Sequence, residues 1–242
     1  MRRADYGYDA PYALAAFSLV AVAALAAAAF MWSRGETRNL AIFGGYAAFF
    51  GANALSFLYT TRRGKFGEWE RILDGLRLRG DEHVLDMGCG RGAVLTAVAR
   101  RLTTGRATGV DIWNATDQSG NARDVTLRNA SLEGVASRVQ IETGDMRALP
   151  FPDASFDLIV SSLAIHNISV NADRRKAIAE AWRVLKPGGR IAIADIRATA
   201  LYAGTLRSLG AADIRRRRLG PGFWWGNPIA ATTLLTATKP AA

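Results

Sequence analysis

Uncharged, apolar residues fill most of the first 60 positions of the chain. Two runs, 11–32 and 40–59, contain no charged residue, and a short polar turn at 33–39 separates them. A helix needs about 20 apolar residues to cross a bilayer, and each run reaches that length. The pattern therefore predicts a transmembrane helical hairpin over residues 1–60 and a second domain over residues 61–242.

Two other interpretations of the apolar runs stay open. The first run could be a secretory signal, since Arg2 and Arg3 precede it, although it exceeds the ~7 to 15 apolar residues usual in such segments. Alternatively, both runs could be core helices of a soluble protein, although residues 61–242 already suffice for a complete domain. Aromatic residues near the ends of both runs suit the headgroup level of a membrane and favour the hairpin.

After a linker at residues 60–64, short apolar runs alternate with segments of helical periodicity. An amphipathic helix is predicted first, at 66–78, because its apolar residues recur on one face. Strands are predicted at 83–87, 107–111, 139–143, 157–161 and 190–194, and helices at 92–102, 122–133 and 172–185. This alternation predicts an α/β fold, in which helices cover both faces of a parallel sheet.

A glycine-rich turn follows the first predicted strand. The segment from Val84 to Gly92 holds one acidic residue, Asp86, and then alternating glycines in the pattern G-x-G-x-G. Glycine is required where the backbone approaches a ligand closely or takes a positive φ. Asp111 ends the next strand, 23 positions after Gly88, where a carboxylate can bind the hydroxyls of a ribose. These features predict a nucleotide-cofactor pocket, and the absence of G-x-G-x-x-G spacing argues against a pyrophosphate.

In this turn the chain resembles the class I S-adenosylmethionine-dependent methyltransferases. The resemblance covers about residues 66–242 and includes further motifs at Asp111, 144–146, 156–160 and 183–189. It implies a seven-stranded, doubly wound (Rossmann-like) methyltransferase sheet, preceded here by the two transmembrane helices. Residues 214–219 and 232–238 are then the last two strands, the final one antiparallel. It also implies S-adenosylmethionine as cofactor and S-adenosylhomocysteine as product.

The resemblance also implies which residues bind the cofactor. Asp86, Gly88 and Gly90 are expected at its amino-acid end, Asp111 at the ribose, and Asp145 with Met146 at the adenine. The full predicted set is Asp86, Gly88, Gly90, Asp111, Ile112, Asp145, Met146 and Ser161. Asp86 could instead orient the glycine turn through hydrogen bonds, Asp111 could be an exposed strand end, and Met146 could be a core residue. No metal site is predicted.

The acceptor side offers fewer signals. His166, in the segment 161–167 after the fourth strand, is the candidate catalytic base, because an imidazole can take a proton near neutral pH; alternatively it only shapes the pocket. His83 is expected to be structural. Residues 113–121 could fold over the ribose or the acceptor, or could cap the following helix. Residues 223–225, Phe-Trp-Trp, could wall an apolar pocket, anchor in the membrane interface or pack on the sheet.

Charge and cysteine content restrict the setting. The formal net charge is +10, which suits a surface near anionic lipid. Four consecutive arginines at 215–218 indicate a solvated edge or a lipid-facing patch, and no recognised nucleic-acid motif accompanies them. Cys89 is the one cysteine, so an intrachain disulfide is excluded. Basic residues flanking the spans favour both chain ends inside, and the cofactor also requires a cytoplasmic catalytic domain.

Together these observations predict an integral membrane protein of the inner or plasma membrane with methyltransferase activity. The expected acceptor is a small lipophilic or amphipathic molecule at the cytoplasmic membrane surface. Two alternatives stay open: methylation of a membrane protein partner, and a non-catalytic scaffold or sensor that binds the cofactor. Small residues on the second span, such as Gly44, Gly45 and Gly51, make homo-oligomers through the membrane helices possible.

Overall fold

Two long apolar helices precede the sheet. The computed structural model describes residues 3–114 and 118–241. Helix α1 spans Pro11–Ser33 and helix α2 spans Thr37–Tyr59, so a turn of three residues joins them. The two helices pack against each other, and both are long and apolar enough to cross a membrane. Both therefore form where the apolar runs predicted helices.

Helix α2 does not end in an extended linker. It continues through a π-helical turn, Thr60–Gly64, directly into helix α3, Lys65–Leu76. The prediction of a linker at 60–64 is therefore wrong. Thr60 and Thr61 are buried, and the Thr60 hydroxyl donates to the Trp224 carbonyl at 2.6 Å. These contacts with distant parts of the chain hold the segment helical, although its polar sequence carries no helical periodicity.

Seven strands form one mixed sheet in the order β3-β2-β1-β4-β5-β7-β6. The first five strands pair in parallel, and β7 lies antiparallel between β5 and β6. This confirms the predicted seven-stranded, Rossmann-like sheet and its antiparallel final strand. The strands are β1 His83–Met87, β2 Arg106–Asp111, β3 Val139–Thr143, β4 Phe156–Ser162, β5 Leu185–Asp195, β6 Ala212–Arg218 and β7 Thr233–Thr238.

Helices cover both faces of the sheet, as the alternating pattern predicts. Successive residues of a strand point to opposite faces: Val84 packs in the cluster with α3 and α4, whereas Leu85 packs in the cluster with α6 and α7. The remaining helices are α4 Ala93–Ala99, α5 Arg123–Leu132, α6 Asn171–Val184 and α7 Thr199–Ser208. The doubly wound arrangement places the carboxyl ends of β1, β2 and β4 at one edge, where the loops that follow them meet.

Two elements differ from the sequence prediction. Helix α7 was not predicted, because its ten residues include Gly204 and present only Tyr202, Ala203 and Leu206 as a buried apolar face. Strand β5 begins at Leu185, five residues earlier than predicted, because pairing of Leu185 with Phe156 extends the ladder across the Pro-Gly-Gly segment. Neither difference moves the cofactor motifs, which lie at the other end of the strands.

Candidate active site

A cavity of about 360 Å³ lies beyond the carboxyl ends of β1, β2 and β4. Seven of the eight residues predicted to bind the cofactor line it: Asp86, Gly88, Gly90, Asp111, Ile112, Asp145 and Met146. Ser161 does not reach the cavity, since it is buried and its hydroxyl donates to the Met87 carbonyl at 2.8 Å. The neighbouring Ser162 lines the cavity instead, because alternate residues of β4 face opposite sides of the sheet.

Two positions of the glycine turn, Gly88 and Gly90, tolerate no residue other than glycine. Gly88 and Gly90 have φ values of +72° and +50°, which side chains rarely adopt. A Cβ atom at Gly88 would overlap Ala164, and one at Gly90 would lie 2.5 Å from Gln118 Oε1. The turn therefore brings bare backbone to the cavity, as a closely held ligand requires.

Asp111 is fixed in place by the backbone around it. Its Oδ2 accepts a hydrogen bond from the Gly90 N–H at 2.8 Å, and its Oδ1 accepts one from the Trp113 N–H at 2.7 Å. The Asn121 amide donates to Oδ1 at 3.3 Å. A carboxylate offers about four lone-pair sites, so acceptor capacity remains for hydroxyl groups in the cavity. The carboxylate thus ties the glycine turn to the end of β2 and suits a ribose.

Burial alters the protonation of the residues behind the turn. Burial, and then the charge of Asp111, raises the pKa of Asp86 to about 8, although a hydrogen bond with the Leu95 backbone opposes the shift. The same burial, together with both carboxylates, raises the pKa of the Cys89 thiol well above its usual value. Asp86 is therefore a neutral carboxylic acid near pH 7, and Cys89 is an unreactive thiol.

The opposite wall of the cavity carries an exposed charge network. Arg147 donates to Asp145 at 2.6 Å and to Asp173 at 2.9 Å. These hydrogen bonds from Arg147 lower the pKa of Asp145, which stays ionised. Met146 and Ile112 complete this wall, and Ile112 is largely exposed. An apolar pair beside an ionised carboxylate suits a flat, polar-edged ring such as adenine.

His166 lies beside the cavity and is not part of its lining, whereas Ala164 and Asn167 on either side of it are. Its Nδ1 is 2.6 Å from Asp195 Oδ1, and its imidazole is 11% exposed. The backbone N–H of His166 and the hydroxyl of Tyr202 both donate to Asp195 Oδ2. The buried Asp195 carboxylate therefore lies against the ring edge and holds the His166 backbone, although the buried Nδ1 atom itself has no partner in hydrogen-bonding geometry among the residues that the structure describes.

Residues 3–10, here called the N-terminal strap, form a roof that the sequence does not predict. Tyr6 is buried, and its hydroxyl is 2.7 Å from the Thr96 hydroxyl. Asp9 pairs with Gln118 as an isolated antiparallel bridge and forms an ion pair with Lys65 at the start of α3. Tyr6, Asp9, Gln118 and Lys65 all line the cavity. The strap therefore joins the two long apolar helices to the cofactor motifs.

Residues 113–121 contribute to the site on either side of 115–117, which lie outside the described residues. Asn114, Gln118 and Asn121 line the cavity, in agreement with a loop over the ribose. The alternative that Ser119 or Asn121 caps the next helix is wrong. The residue at the N-cap of α5 is Ala122 and no side chain caps the helix, because the Asn121 amide is engaged with Asp111 and with the Asn114 carbonyl.

The Phe-Trp-Trp segment at 223–225 does not line the cavity, so it does not wall the ligand pocket. Phe223 and Trp225 are buried. Trp225 packs edge-to-face on Phe57 of α2, with ring centroids 5.0 Å apart. These aromatic residues therefore dock the sheet onto the hairpin.

Comparisons with known proteins agree with this geometry. Residues 85–193 match a family described as "Methyltransferase domain". The chain is 35% identical over 155 residues to the 27-O-demethylrifamycin SV methyltransferase of Amycolatopsis mediterranei. This alignment covers 63% of this chain and 51% of the relative. It is 36% identical over 137 residues to the ubiquinone/menaquinone biosynthesis C-methyltransferase UbiE of Psychromonas ingrahamii, covering 55% of this chain and 50% of that protein. The chain spans about half the length of these curated relatives.

Solved structures share the fold. A SAM-dependent methyltransferase from Aquifex aeolicus superposes with a TM-score of 0.57 at 19% identity, covering 71% of this chain and 89% of that chain. The geranyl diphosphate C-methyltransferase of Streptomyces coelicolor superposes with a TM-score of 0.60 at 17% identity, covering 74% and 80%. The strand order, the glycine turn with Asp111 and the matched sequence agree: the chain has the fold of the S-adenosylmethionine-dependent methyltransferases, and its residues 85–193, which supply much of the cavity lining, match the methyltransferase-domain family, with S-adenosylmethionine as its cofactor.

Proposed function

We propose that this protein is a membrane-anchored methyltransferase that methylates a small lipophilic or amphipathic acceptor at the cytoplasmic membrane surface. One observation carries the proposal: the apolar helix α2 runs without interruption into α3, whose residues Lys65, Phe66 and Trp69 line the cavity. A cavity wall that continues as an apolar helix of this length supports an acceptor site next to the bilayer.

The outward faces of the hairpin support the anchor. Only 11% of the residues in the apolar window of each helix are buried, whereas a core helix of a soluble protein is mostly buried. Patches of apolar surface this extensive mark contact with lipid or another partner. The large side chains that they expose are Tyr12, Leu19, Val20, Val22, Leu25, Phe30, Trp32, Ile42, Tyr46, Phe49, Leu55, Leu58 and Tyr59.

The shape of the cavity favours a small acceptor over a protein partner. The strap covers it from above, and Tyr6, Phe66 and Trp69 supply an aromatic wall. Trp69 Nε1 donates to the Ser162 hydroxyl at 2.9 Å, which joins this wall to the end of β4. The names of relatives point the same way, since they refer to a rifamycin, to ubiquinone and menaquinone, and to geranyl diphosphate. A roofed, partly aromatic cavity suits one compact molecule better than a protein segment.

His166 remains our candidate base, with its Nδ1 atom 2.6 Å from Asp195 Oδ1. The cofactor supplies an activated methyl group on a sulfonium, so the chain has to hold the acceptor in line with it and, for an acidic acceptor, remove a proton. A histidine beside a buried carboxylate is suited to that second task, because the negative charge stabilises the imidazolium that forms.

The membrane anchor is tested without deleting the hairpin, because deletion would also detach the strap that roofs the cavity. A variant with Leu19, Val22 and Leu25 replaced by glutamine keeps the strap and removes part of the exposed apolar face. We expect the natural chain to stay with membranes through an alkaline wash and the variant to be released, with unchanged affinity for S-adenosylhomocysteine. Release of the natural chain by the same wash would contradict anchoring.

The acceptor is sought with methyl-labelled S-adenosylmethionine and total membrane lipid extract. The full chain in vesicles should transfer label to an extractable small molecule that mass spectrometry can identify. Label on protein would favour methylation of a membrane protein. Tight binding of S-adenosylhomocysteine with no labelled product from lipid or protein would favour a non-catalytic sensor.

A further inference from the structure

We propose that residues 220–231, here called the tryptophan loop, form a third membrane-contacting element, and that the tip of this loop enters the bilayer beside the hairpin. This inference rests on the membrane anchoring proposed above. The occupant of the surface is lipid, and the loop connects strands β6 and β7 at the carboxyl edge of the sheet.

The loop begins beside the π-helical turn. Gly64 and Gly222 lie in backbone contact: a Cβ atom at Gly64 would lie 2.6 Å from the Gly222 Cα atom. One turn closer to the membrane, the Thr60 hydroxyl donates to the Trp224 carbonyl at 2.6 Å. Two successive contacts therefore align the loop with the helix axis.

The same alignment continues along α2. Trp225 packs on Phe57, and beyond it the Asn227 amide donates to Asn53 Oδ1 at 2.8 Å. As the loop proceeds from Gly222 to Asn227, its contact residues on the helix therefore run backwards from Gly64 to Asn53. It runs antiparallel to α2, away from the sheet and along the apolar helix.

The depth of the tip follows from helix geometry. Asn53 lies seven residues before Thr60, which is about 10 Å at ~1.5 Å per residue. A hydrocarbon layer of ~30 Å takes about 20 helical residues, so a layer that starts at Leu40, after the charged turn, ends near Tyr59. The contact between Asn53 and Asn227 then lies roughly 10 Å inside that boundary, a depth similar to the ~5–10 Å that interfacial helices reach.

The polar groups of the tip are satisfied within the protein. The Asn227 side chain accepts hydrogen bonds from the backbone N–H groups of Ile229 and Ala230. The Arg218 guanidinium donates to the carbonyls of Pro228 and Ile229 at 2.8 and 3.1 Å. Irregular backbone enters a bilayer only where its polar groups have protein partners, and this loop supplies them.

The tip also presents an apolar side chain with no protein contact to explain it. Ile229 is 90% exposed, more than any other large apolar side chain in the described parts of the chain. It lies on a short 3-10 turn, Pro228–Ala230, and the neighbouring Pro228 is also exposed. An isoleucine and a proline at the outermost point of a self-satisfied loop suit insertion into lipid.

The test uses a fluorophore that responds to lipid. In a Cys89→Ala background, single cysteines at Ile229, Leu25 and Leu209 are labelled with an environment-sensitive dye, and the full chain is placed in vesicles containing nitroxide-labelled phosphatidylcholine. Leu25 is exposed at the centre of α1 and reports hairpin insertion. Leu209 is exposed near the start of β6, at the opposite edge of the sheet, and is the aqueous control.

We expect a blue shift and nitroxide quenching at positions 25 and 229, with stronger quenching at 229 by nitroxides near the headgroup than by those at the chain ends. Position 209 should show neither effect. Quenching at 25 but not at 229 would overturn the inference and leave the anchor intact. Absence of quenching at 25 would show that the anchoring proposal itself fails. An affinity for S-adenosylhomocysteine equal to that of the unlabelled Cys89→Ala parent in each labelled protein verifies folding.

Discussion

Asp86 should make the stability of the protein depend on pH in the direction opposite to that of an ordinary surface carboxylate. Its side chain is almost fully buried, and burial together with Asp111 raises its pKa to about 8. An aspartate in an unfolded chain titrates near ~3.9. Between about pH 4 and pH 8, the folded protein therefore binds one more proton at this position than the unfolded chain does.

The size of the effect follows from the shift. A rise from 3.8 to about 8, at about 1.4 kcal/mol per unit, means that ionisation of Asp86 is disfavoured by roughly 6 kcal/mol in the folded protein. The folded pKa is the higher one, so the contribution of Asp86 to stability is full below about pH 4 and is lost as the pH rises through 8. The slope is at most ~1.4 kcal/mol per pH unit.

The assay compares the natural chain with Asp86→Asn in detergent micelles. Between pH 5 and pH 8, we expect the natural chain to lose unfolding free energy relative to the variant, whose amide cannot ionise. The infrared carbonyl band of a protonated carboxyl should titrate near pH 8 in the natural chain and be missing from the variant. Parallel pH dependence in the two proteins, with no titrating band, would refute the assignment of a neutral Asp86.

Three further substitutions test the packing and the site. Gly64→Ala should destabilise the protein by about 1–3 kcal/mol, because the new methyl group meets the backbone of the tryptophan loop. The control is Gly67→Ala, which has open space around it and should be neutral or stabilising by up to about 1 kcal/mol. Equal melting temperatures for the two variants would contradict this packing. Asp111→Asn should weaken S-adenosylhomocysteine binding at least about 10-fold by calorimetry, because hydrogen bonds to a charged group are lost, whereas the exposed Asp124→Asn should bind normally. His166→Gln should slow turnover by about 100-fold or more if the imidazole is the base, with unchanged cofactor affinity, and full activity across the pH range would remove it from that role.

The sheet and the cofactor motifs could be predicted because their signals are local. Strands β1 and β3 begin and end at the predicted residues, since short apolar runs bounded by polar residues mark buried strands. Gly88, Gly90 and Asp111 have fixed spacing, and parallel strands bring them to one edge of the sheet. Position along the chain was sufficient to place these three residues in one cavity.

The strap could not be predicted for the opposite reason. Its partners in the rest of the fold lie 52 to 130 residues away, including Thr61 for Asp9, Thr96 for Tyr6 and Glu133 for the Arg3 backbone. A short polar segment before an apolar helix has no periodicity, and its residue types are ordinary for a chain terminus. Ser161 shows the same limit on a smaller scale: the sequence indicates the strand, but which of Ser161 and Ser162 faces the cavity depends on the register of β4.

The two ends of the hairpin enter the same cavity, and this has a mechanical consequence. The strap leads into α1 and supplies Asp9, whereas the turn after α2 leads into α3 and supplies Lys65. The hairpin is therefore held to the cavity at both ends, and the tryptophan loop adds a third attachment through Asn53. Because α1 and α2 pack along their length, a tilt of the hairpin relative to the sheet cannot occur without moving the roof or the wall of the cavity. The hairpin is thus a structural part of the site, and under the proposed membrane anchoring, changes in bilayer thickness should alter cofactor release as well as acceptor access.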